Sequence, residues 1–252
     1  MKIATWNVNS LRVRLPHVLD WLKTAKPDIL ALQETKIPDE EFPIAEINQA
    51  GYQVIYNGQR TYNGVAILSR KPGSDIITDP KDIDDAQRRI LGMTMDGVRI
   101  INLYVPNGES VDSEKYQYKL TWLKKITQFL KQELKAHRKL IVLGDFNITP
   151  EDQDVHNPKR WAGQVLCSEP ERKALQEIIK LGLQDCFRLH KQPERSFSWW
   201  DYRLQSFQRD MGLRIDLILA TPDLSCSQCY IDKVPRSLER PSDHTPVIAE
   251  FN

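Results

Sequence analysis

The chain has 252 residues, and its 35 Lys and Arg residues nearly balance 34 Asp and Glu residues, giving a formal net charge of +1. This balance neither requires nor excludes a polyanionic partner, because an acidic pocket can offset a basic rim. No stretch approaches the roughly 20 apolar residues of a membrane span, and the N-terminus enters a strand-like run without a signal region. The sequence therefore predicts one domain over residues 1–252, located in the cytoplasm.

The first half of the chain alternates strand and helix patterns. β-Branched and aliphatic runs predict strands at residues 2–7, 28–33, 52–56, 64–69 and 98–105. A helix separates the first two strands, because apolar residues recur there at helical spacing at Leu15, Val18, Leu19 and Leu22. The Lys26-Pro27 pair ends this helix.

The second half continues the same mixture. A long helix has Lys and Gln opposite an apolar face formed by Leu120, Leu123, Ile126, Leu130 and Leu134. A shorter helix contains Leu175, Ile178 and Ile179, and residues 149–152 (Thr-Pro-Glu-Asp) predict another helix start. Further strands are predicted at residues 139–144, 214–220 and 246–251. The pattern indicates an α/β fold in which helices cover the sheets.

The cysteines give a weak signal. Four are present, and Cys226 and Cys229 form a lone C-x-x-C without a second pair at zinc spacing. This arrangement favours reduced structural thiols over a metal or redox site.

The segment Leu143–Asn147 is the most informative stretch. Asp145 and Asn147 follow a fully apolar strand, and side chains two positions apart on extended chain point to the same side. Chemistry in α/β sheets collects at the carboxyl ends of the strands. We therefore expect an acid and an amide to project together into one pocket there.

Polar groups recur at other strand ends. They are Asn7 and Asn9, Glu34, Tyr104, Asp216 within an apolar strand, and residues 242–244 (Ser-Asp-His) before the last strand. Taken singly, Glu34 could be an exposed acid, Tyr104 a packing residue, and the asparagines turn residues. Asp216 differs, because an acid inside an apolar strand must be paired or shifted in pKa. Oxygen ligands without cysteine suit Mg²⁺ or Mn²⁺.

Six motifs in this order resemble the exonuclease III family of abasic-site endonucleases, within the endonuclease/exonuclease/phosphatase superfamily. They are residues 6–9 (WNVN), 32–36 (LQETK), 104–108 (YVPNG), 144–147 (GDFN), 213–216 (LRID) and 242–244 (SDH). The likeness extends from residue 2 to residue 251. It implies a four-layered α/β sandwich, with two facing mixed β-sheets flanked by helices.

The resemblance also implies residue roles. Glu34 would be the principal ligand of the divalent metal, and the metal site would further include Asn7, Asp145, Asn147, Asp243 and His244. Asp145 would activate the attacking water, Asn147 would bind the scissile phosphate, and Tyr104 would contact the phosphate or the leaving group. Asp216 and His244 would form an acid–imidazole pair. A rival assignment makes His244 the base.

Substrate contacts follow from the same resemblance. Trp199, Leu213 and Ile215 would form an apolar slot for an extruded abasic sugar, and Asn9 and Asn107 would line the site. Asn9 departs from relatives that carry aspartate at this position, so this position offers the metal no carboxylate. For Trp199, a place in the buried core competes closely with a role in this slot. The basic residues at likely loops or edges are candidates for phosphate contacts, and a solvated surface explains each of them as well.

The activity implied is Mg²⁺-dependent incision 5′ to abasic sites in duplex DNA, with Mn²⁺ as an alternative ion. A 3′→5′ exonuclease and removal of 3′-phosphates are implied too, in a monomer that binds no membrane. The alternatives are another phosphoesterase of the superfamily, acting on inositol phosphates, sphingomyelin or RNA tails, and a non-catalytic DNA-binding protein. The sequence leaves open the ratio of the activities and the number of metal ions.

Overall fold

The computed structural model describes residues 1–80, 83 and 85–252, which form two six-stranded sheets. With strands numbered in chain order, the first sheet holds in spatial order β11 (Cys226–Ile231), β12 (Val247–Phe251), β1 (Lys2–Asn7), β2 (Ile29–Gln33), β4 (Val65–Ser69) and β3 (Gln53–Asn57). The second holds β5 (Ser74–Thr78), β6 (Ile90–Met95), β7 (Val98–Tyr104), β8 (Leu140–Asp145), β10 (Asp216–Ala220) and β9 (Gln184–Asp185).

Both sheets are mixed. The pairs β1–β2 and β7–β8 are parallel, and the other neighbouring strands pair antiparallel. The helices are α1 (Leu11–Ala25), α2 (Ile44–Gln49), α3 (Glu114–Ala136), α4 (Pro158–Trp161) and α5 (Glu169–Ile179). Because a parallel pair needs a crossover, α1 joins β1 to β2 and α3 joins β7 to β8.

Three apolar layers hold the fold together. One lies between the sheets and includes Ile3, Ile100 and Ile141. A second packs α1 and α2 on the first sheet, and a third packs α3 and α5 on the second. The order is therefore helices, sheet, sheet, helices. The four-layered α/β sandwich expected from the sequence is confirmed.

The two-residue period of the strands aims the polar groups at the space between the sheets. In β8, Ile141 and Leu143 face the other sheet, so Asp145 faces it too. The same alternation carries Asn7 inward at the end of β1 and Tyr104 at the end of β7. Register places Asp145 opposite both Tyr104 and Asp216.

The eight predicted strands and three predicted helices are all present, with bounds shifted by one or two residues at several ends. The sequence missed β5, β6, β9 and β11, of which three are edge strands with short or polar sequences. In β6, Gly92 interrupts the apolar run because the Ile101 side chain packs closely against it.

The helix start predicted at residues 149–152 is wrong. Both the Thr149 amide and its hydroxyl donate to the Leu166 carbonyl, at 2.7 and 2.9 Å, so this residue is tied across a loop. Only a single 3-10 turn follows, over Asp152–Asp154, and α4 begins at Pro158. The Thr149 hydroxyl therefore makes a tertiary contact and does not cap a helix.

All four cysteines are free thiols, and Cys226 and Cys229 lie on β11. Among the described residues, no helix combines the length and apolar character needed to cross a bilayer.

Gly144, one residue before Asp145, has a backbone that only glycine tolerates. Its φ is +143°, and a Cβ there would lie 1.9 Å from the Leu103 carbonyl oxygen. We expect Gly144→Ala to lower the free energy of unfolding by about 3 kcal/mol, through strain plus the clash. Urea denaturation measures this loss.

Gly97 provides the matched control, because its φ is +77° but no atom lies within 4 Å of the Cβ position. Gly97→Ala should cost only about 1 kcal/mol, the conformational part alone. Equal losses for the two variants would contradict a steric need for glycine before Asp145.

Candidate active site

One mouth between the two sheets collects the polar strand ends. Asn7 closes β1, Glu34 follows β2, Tyr104 closes β7, Asp145 closes β8, and Asp216 opens the antiparallel β10. Opposite chain directions bring the amino end of β10 to the carboxyl end of β8. Five of the polar groups that the sequence places at strand ends therefore meet at this mouth.

Glu34 lies at the outer part of this mouth and is half-buried. It accepts hydrogen bonds from Asn7 Nδ2 at 2.8 Å and from the Tyr104 hydroxyl at 2.9 Å, and the Lys36 ammonium lies 2.8 Å from its second oxygen. Burial by itself raises the pKa of Glu34, but Lys36 and the Asn7 hydrogen bond outweigh it and lower the pKa. Glu34 is thus an ionised carboxylate near neutral pH.

Tyr104 remains a phenol. Burial raises its pKa well above the usual value, and the carboxylates of Glu34 and Asp145 raise it further. Arg89 stacks on the ring, with the guanidinium carbon 4.7 Å from the ring centre. The hydroxyl therefore serves as a hydrogen-bond donor aimed into the mouth.

Asp145 lies deeper, with 1% of its surface exposed. One oxygen accepts from the Asn147 backbone amide at 2.9 Å, and the other from Asn7 Nδ2 at 2.9 Å and Asn147 Nδ2 at 3.2 Å. Burial raises the pKa of Asp145 to about 7, although the His244 cation acts against this rise. Asn7 therefore bridges the carboxylates of Glu34 and Asp145.

His244 is oriented from behind by Asp216. Its Nδ1 lies 2.9 Å from Asp216 Oδ2, and its Nε2 lies 3.7 Å from Asp145 Oδ2. Ser198 donates its hydroxyl to Asp216 at 2.7 Å and fixes that carboxylate. Burial disfavours the imidazolium, but the two aspartates outweigh burial and raise the pKa of His244 to about 10.

Asn147 and Asn107 join two loops at the mouth. The Asn107 side chain donates to Asn147 Oδ1 at 3.0 Å. The Asn147 amide hydrogens go to the Val105 carbonyl at 3.0 Å and to Asp145. Asn147 also has a left-handed backbone, with φ of +50°, which asparagine adopts more readily than most residues.

The donor set at the mouth fits a divalent cation. Within the part of the chain that the structure describes, Glu34, Asp145 and His244 bring one potential ligand atom each within 4.8 Å of one another. Two carboxylates match the oxygen preference of Mg²⁺, and a protonated His244 fits contact with phosphate better than with the ion. Asn7 already directs its NH₂ group at both carboxylates and its oxygen at the Asn9 amide.

Among the described residues, Asp243 is not one of the three that form this group, although a metal role was expected for it. Its carboxylate accepts from Asn9 Nδ2 at 3.0 Å and from the Trp199 indole at 2.9 Å. Asn9 in turn accepts from Lys36 at 2.6 Å. Asp243 therefore fixes Trp199 and Asn9 on the rim.

The three residues of the expected sugar slot form one apolar cluster. Leu213 and Ile215 are 0% and 1% exposed, while Trp199 is partly exposed. Leu213 and Ile215 belong to the buried part of the cluster, and Trp199 packs against that part, as Trp161 and Val165 do. Trp199 is thus the member that a substrate can reach directly, and Leu213 and Ile215 form the layer behind it.

Comparisons with known proteins agree with this geometry. A profile of the Endonuclease/Exonuclease/phosphatase family matches residues 4–244. Exodeoxyribonuclease III of Haemophilus influenzae is 38% identical over 267 aligned residues, which cover 100% of both chains. The chain belongs to the Endonuclease/Exonuclease/phosphatase family. The resemblance inferred from the six motifs is confirmed.

Two solved structures of nucleases are similar to this chain in both fold and sequence. The 3′ phosphatase NExo from Neisseria, in a complex with a product DNA hairpin, is 46% identical with a TM-score of 0.98, covering 100% of this chain and 99% of that one. An AP endonuclease from Archaeoglobus fulgidus is 41% identical with a TM-score of 0.94 and the same coverage. The chain is therefore similar to both DNA 3′-end and abasic-site enzymes.

The sequence analysis did not identify several residues that hold the active-site groups in place. Gln33 donates to Thr5 at 2.9 Å and to Asn102 at 2.8 Å, which links the two sheets behind the mouth. Ser198, which orients Asp216, gave no signal because it is an ordinary serine beside two tryptophans. Lys119 was not distinguished from the other lysines of its helix, yet it is fully buried. Side chains alternate between the two faces of β2 and β7, and this alternation could have predicted that Gln33 and Asn102 face the space between the sheets.

Proposed function

We propose that this protein is a metal-dependent DNA repair nuclease that hydrolyses phosphodiesters 5′ to abasic sites in duplex DNA. The same pocket would act as a 3′→5′ exonuclease and remove 3′-phosphates, because chain-end phosphates and internal phosphodiesters present the same chemistry. The observation that carries the proposal is the meeting of Glu34, Asp145 and the His244–Asp216 pair at one mouth. Full-length likeness to exodeoxyribonuclease III and NExo supports DNA as the substrate.

The residues divide the work of hydrolysis. A Mg²⁺ ion held by Glu34 and Asp145 would polarise a phosphate oxygen and stabilise developing charge. Asp145, with its pKa raised to about 7 by burial, accepts the proton of the attacking water. His244 has its pKa raised to about 10 by the two aspartates despite burial, so it donates to a phosphate oxygen and is a poor base at neutral pH. These opposite pKa values favour Asp145 over His244 as the base.

Asn147 and Tyr104 complete the pocket in the proposal. One amide hydrogen of Asn147 now donates to Asp145 and would pass to the phosphate oxygen when the substrate enters. The Tyr104 phenol, kept protonated by its raised pKa, is placed to donate to the phosphate or the leaving oxygen. Asn9, Asn107 and Trp199 lie on the rim, where flanking nucleotides would pass.

A second candidate is a nuclease confined to 3′ ends. The observation that favours it is the complete burial of Leu213 and Ile215, because trimming a 3′ end requires no slot for an extruded sugar. In the full proposal, Trp199 must shift to admit the sugar between itself and that layer. Incision at an internal abasic site separates the two candidates.

Two labelled duplexes test the proposal, one with a tetrahydrofuran abasic analogue and one intact, each with Mg²⁺ and with EDTA. We expect cutting 5′ to the analogue with Mg²⁺ and its complete loss with EDTA, because no other group at the mouth supplies a divalent charge. Digestion of both duplexes from the 3′ ends alone would support the second candidate. Absence of any metal-dependent cutting would refute both.

The remaining attributes belong to the proposal as well. We propose that residues 1–252 form one catalytic domain that acts as a monomer in the cytoplasm, with Mg²⁺ as the preferred ion and Mn²⁺ as a substitute. Size-exclusion chromatography with light scattering checks the oligomeric state.

A further inference from the structure

Lys119 is a fully buried lysine directly behind the mouth. It lies on the inner face of α3 with 0% exposure. Its ammonium donates to the Asn147 carbonyl at 2.6 Å, to the Asn107 carbonyl at 3.1 Å, and to the Glu171 carboxylate. A lysine ammonium has three hydrogens, so all of its donors are used.

Glu171 anchors this lysine from the other side. It lies on α5, is also fully buried, and accepts from the Leu166 and Ser168 backbone amides at 3.0 and 3.1 Å. The carboxylate therefore has fixed partners besides Lys119. A buried charge pair of this kind holds its geometry only when every donor and acceptor is satisfied, as here.

The two carbonyls held by Lys119 belong to the loops that carry the catalytic amides. Asn107 is in the loop after β7, and Asn147 is in the loop after β8. Their side chains touch at 3.0 Å, and the Asn147 backbone amide donates to Asp145. One ammonium thus sets the distance between the two loops and, through Asn147, the orientation of Asp145.

We infer that Lys119 is a positioning residue of the nuclease site, which joins the loops after β7 and β8 so that Asn147 and Asp145 meet the phosphate correctly. The inference rests on the proposed function of that site. Lys119 itself touches no substrate, because it is enclosed by α3, α5 and the two loops. Its effect is therefore expected on the chemical step and not on DNA affinity.

Lys119→Met tests the inference, because methionine fills a similar volume without donors. We expect kcat for cleavage to fall by about 10- to 100-fold, as for other losses of supporting contacts, with KM within about 3-fold of the wild type. The matched control is Lys131→Met, which removes an exposed lysine from the same helix. It should leave kcat, KM and Tm unchanged.

A purely structural role is separated by Lys119→Met/Glu171→Gln. This double variant removes both charges, and glutamine keeps an acceptor for one of the two backbone amides that Glu171 binds, so Tm should recover in part relative to Lys119→Met. We expect kcat to stay low, because the two carbonyls still lack their common donor. Recovery of kcat in step with Tm, or a wild-type kcat in Lys119→Met, would overturn the inference.

A readout independent of activity keeps the two proposals distinct. In ¹⁵N-labelled protein, the side-chain amide signals of Asn107 and Asn147 should shift or broaden in Lys119→Met and stay in place in Lys131→Met. Unchanged signals would contradict the inference even if DNA is cut. If the wild type cuts no DNA but the signals move, the proposed function fails and the positioning contact stands.

Discussion

Replacing Asp145 with asparagine is expected to lower kcat for DNA cleavage by about 10³-fold, within the range for loss of a general base. Asparagine has the same shape and can keep the hydrogen bond from the Asn147 backbone amide, so the loss reports the missing proton acceptor and ligand charge. Single-turnover kinetics on the abasic duplex measures the chemical step. A rate near that of the wild type would contradict our assignment of Asp145.

The pH dependence follows from the same group. The base must be deprotonated, so activity should rise with pH through the pKa of Asp145, which burial raises to about 7. A bound cation stabilises the carboxylate, so the midpoint in Mg²⁺ should lie at or below that value. In Asp145→Asn, activity should no longer rise with pH through this range. In His244→Asn, the rise should remain, at a reduced rate. The opposite result would make His244 the base.

Glu34→Gln is expected to raise the Mg²⁺ concentration needed for half-maximal activity by at least about 100-fold, since loss of mere outer contacts costs 10- to 100-fold. Glutamine keeps an oxygen that can accept from Asn7 and Tyr104 but removes the charge that holds the ion. Titrating activity with Mg²⁺ measures the change. A suitable control is Glu41→Gln, because Glu41 is an exposed acid paired with Arg12.

The control should leave the Mg²⁺ titration unchanged. An unchanged titration for Glu34→Gln as well would remove Glu34 from the metal site. A lower maximal activity of Glu34→Gln at saturating Mg²⁺ would show that Glu34 also orients Tyr104.

The sequence could predict the strand ends at the site because the two-residue period of an apolar strand extends directly to its last residue. Asp145, Asn7 and Tyr104 lie where that period places them. The acid within β10 could be predicted to need a partner, and Asp216 has His244 and Ser198. The family likeness then supplied roles that the period could not.

The rest depended on contacts between distant segments. Asp243 follows no strand period, and its carboxylate turns to Trp199 and Asn9 through loop geometry. Lys119 looks like one more surface lysine until the loops after β7 and β8 close over it. The edge strands β5, β9 and β11 were missed because their pairing, and not their apolar content, makes them strands.

Anomalous diffraction from crystals soaked in Mn²⁺ tests the central claim most directly. We expect a peak at the mouth between the sheets, with the Glu34 carboxylate about 2.1 Å from the ion and Asp145 beside it. A strong peak elsewhere, with none near Glu34 in crystals of an active enzyme, would contradict it.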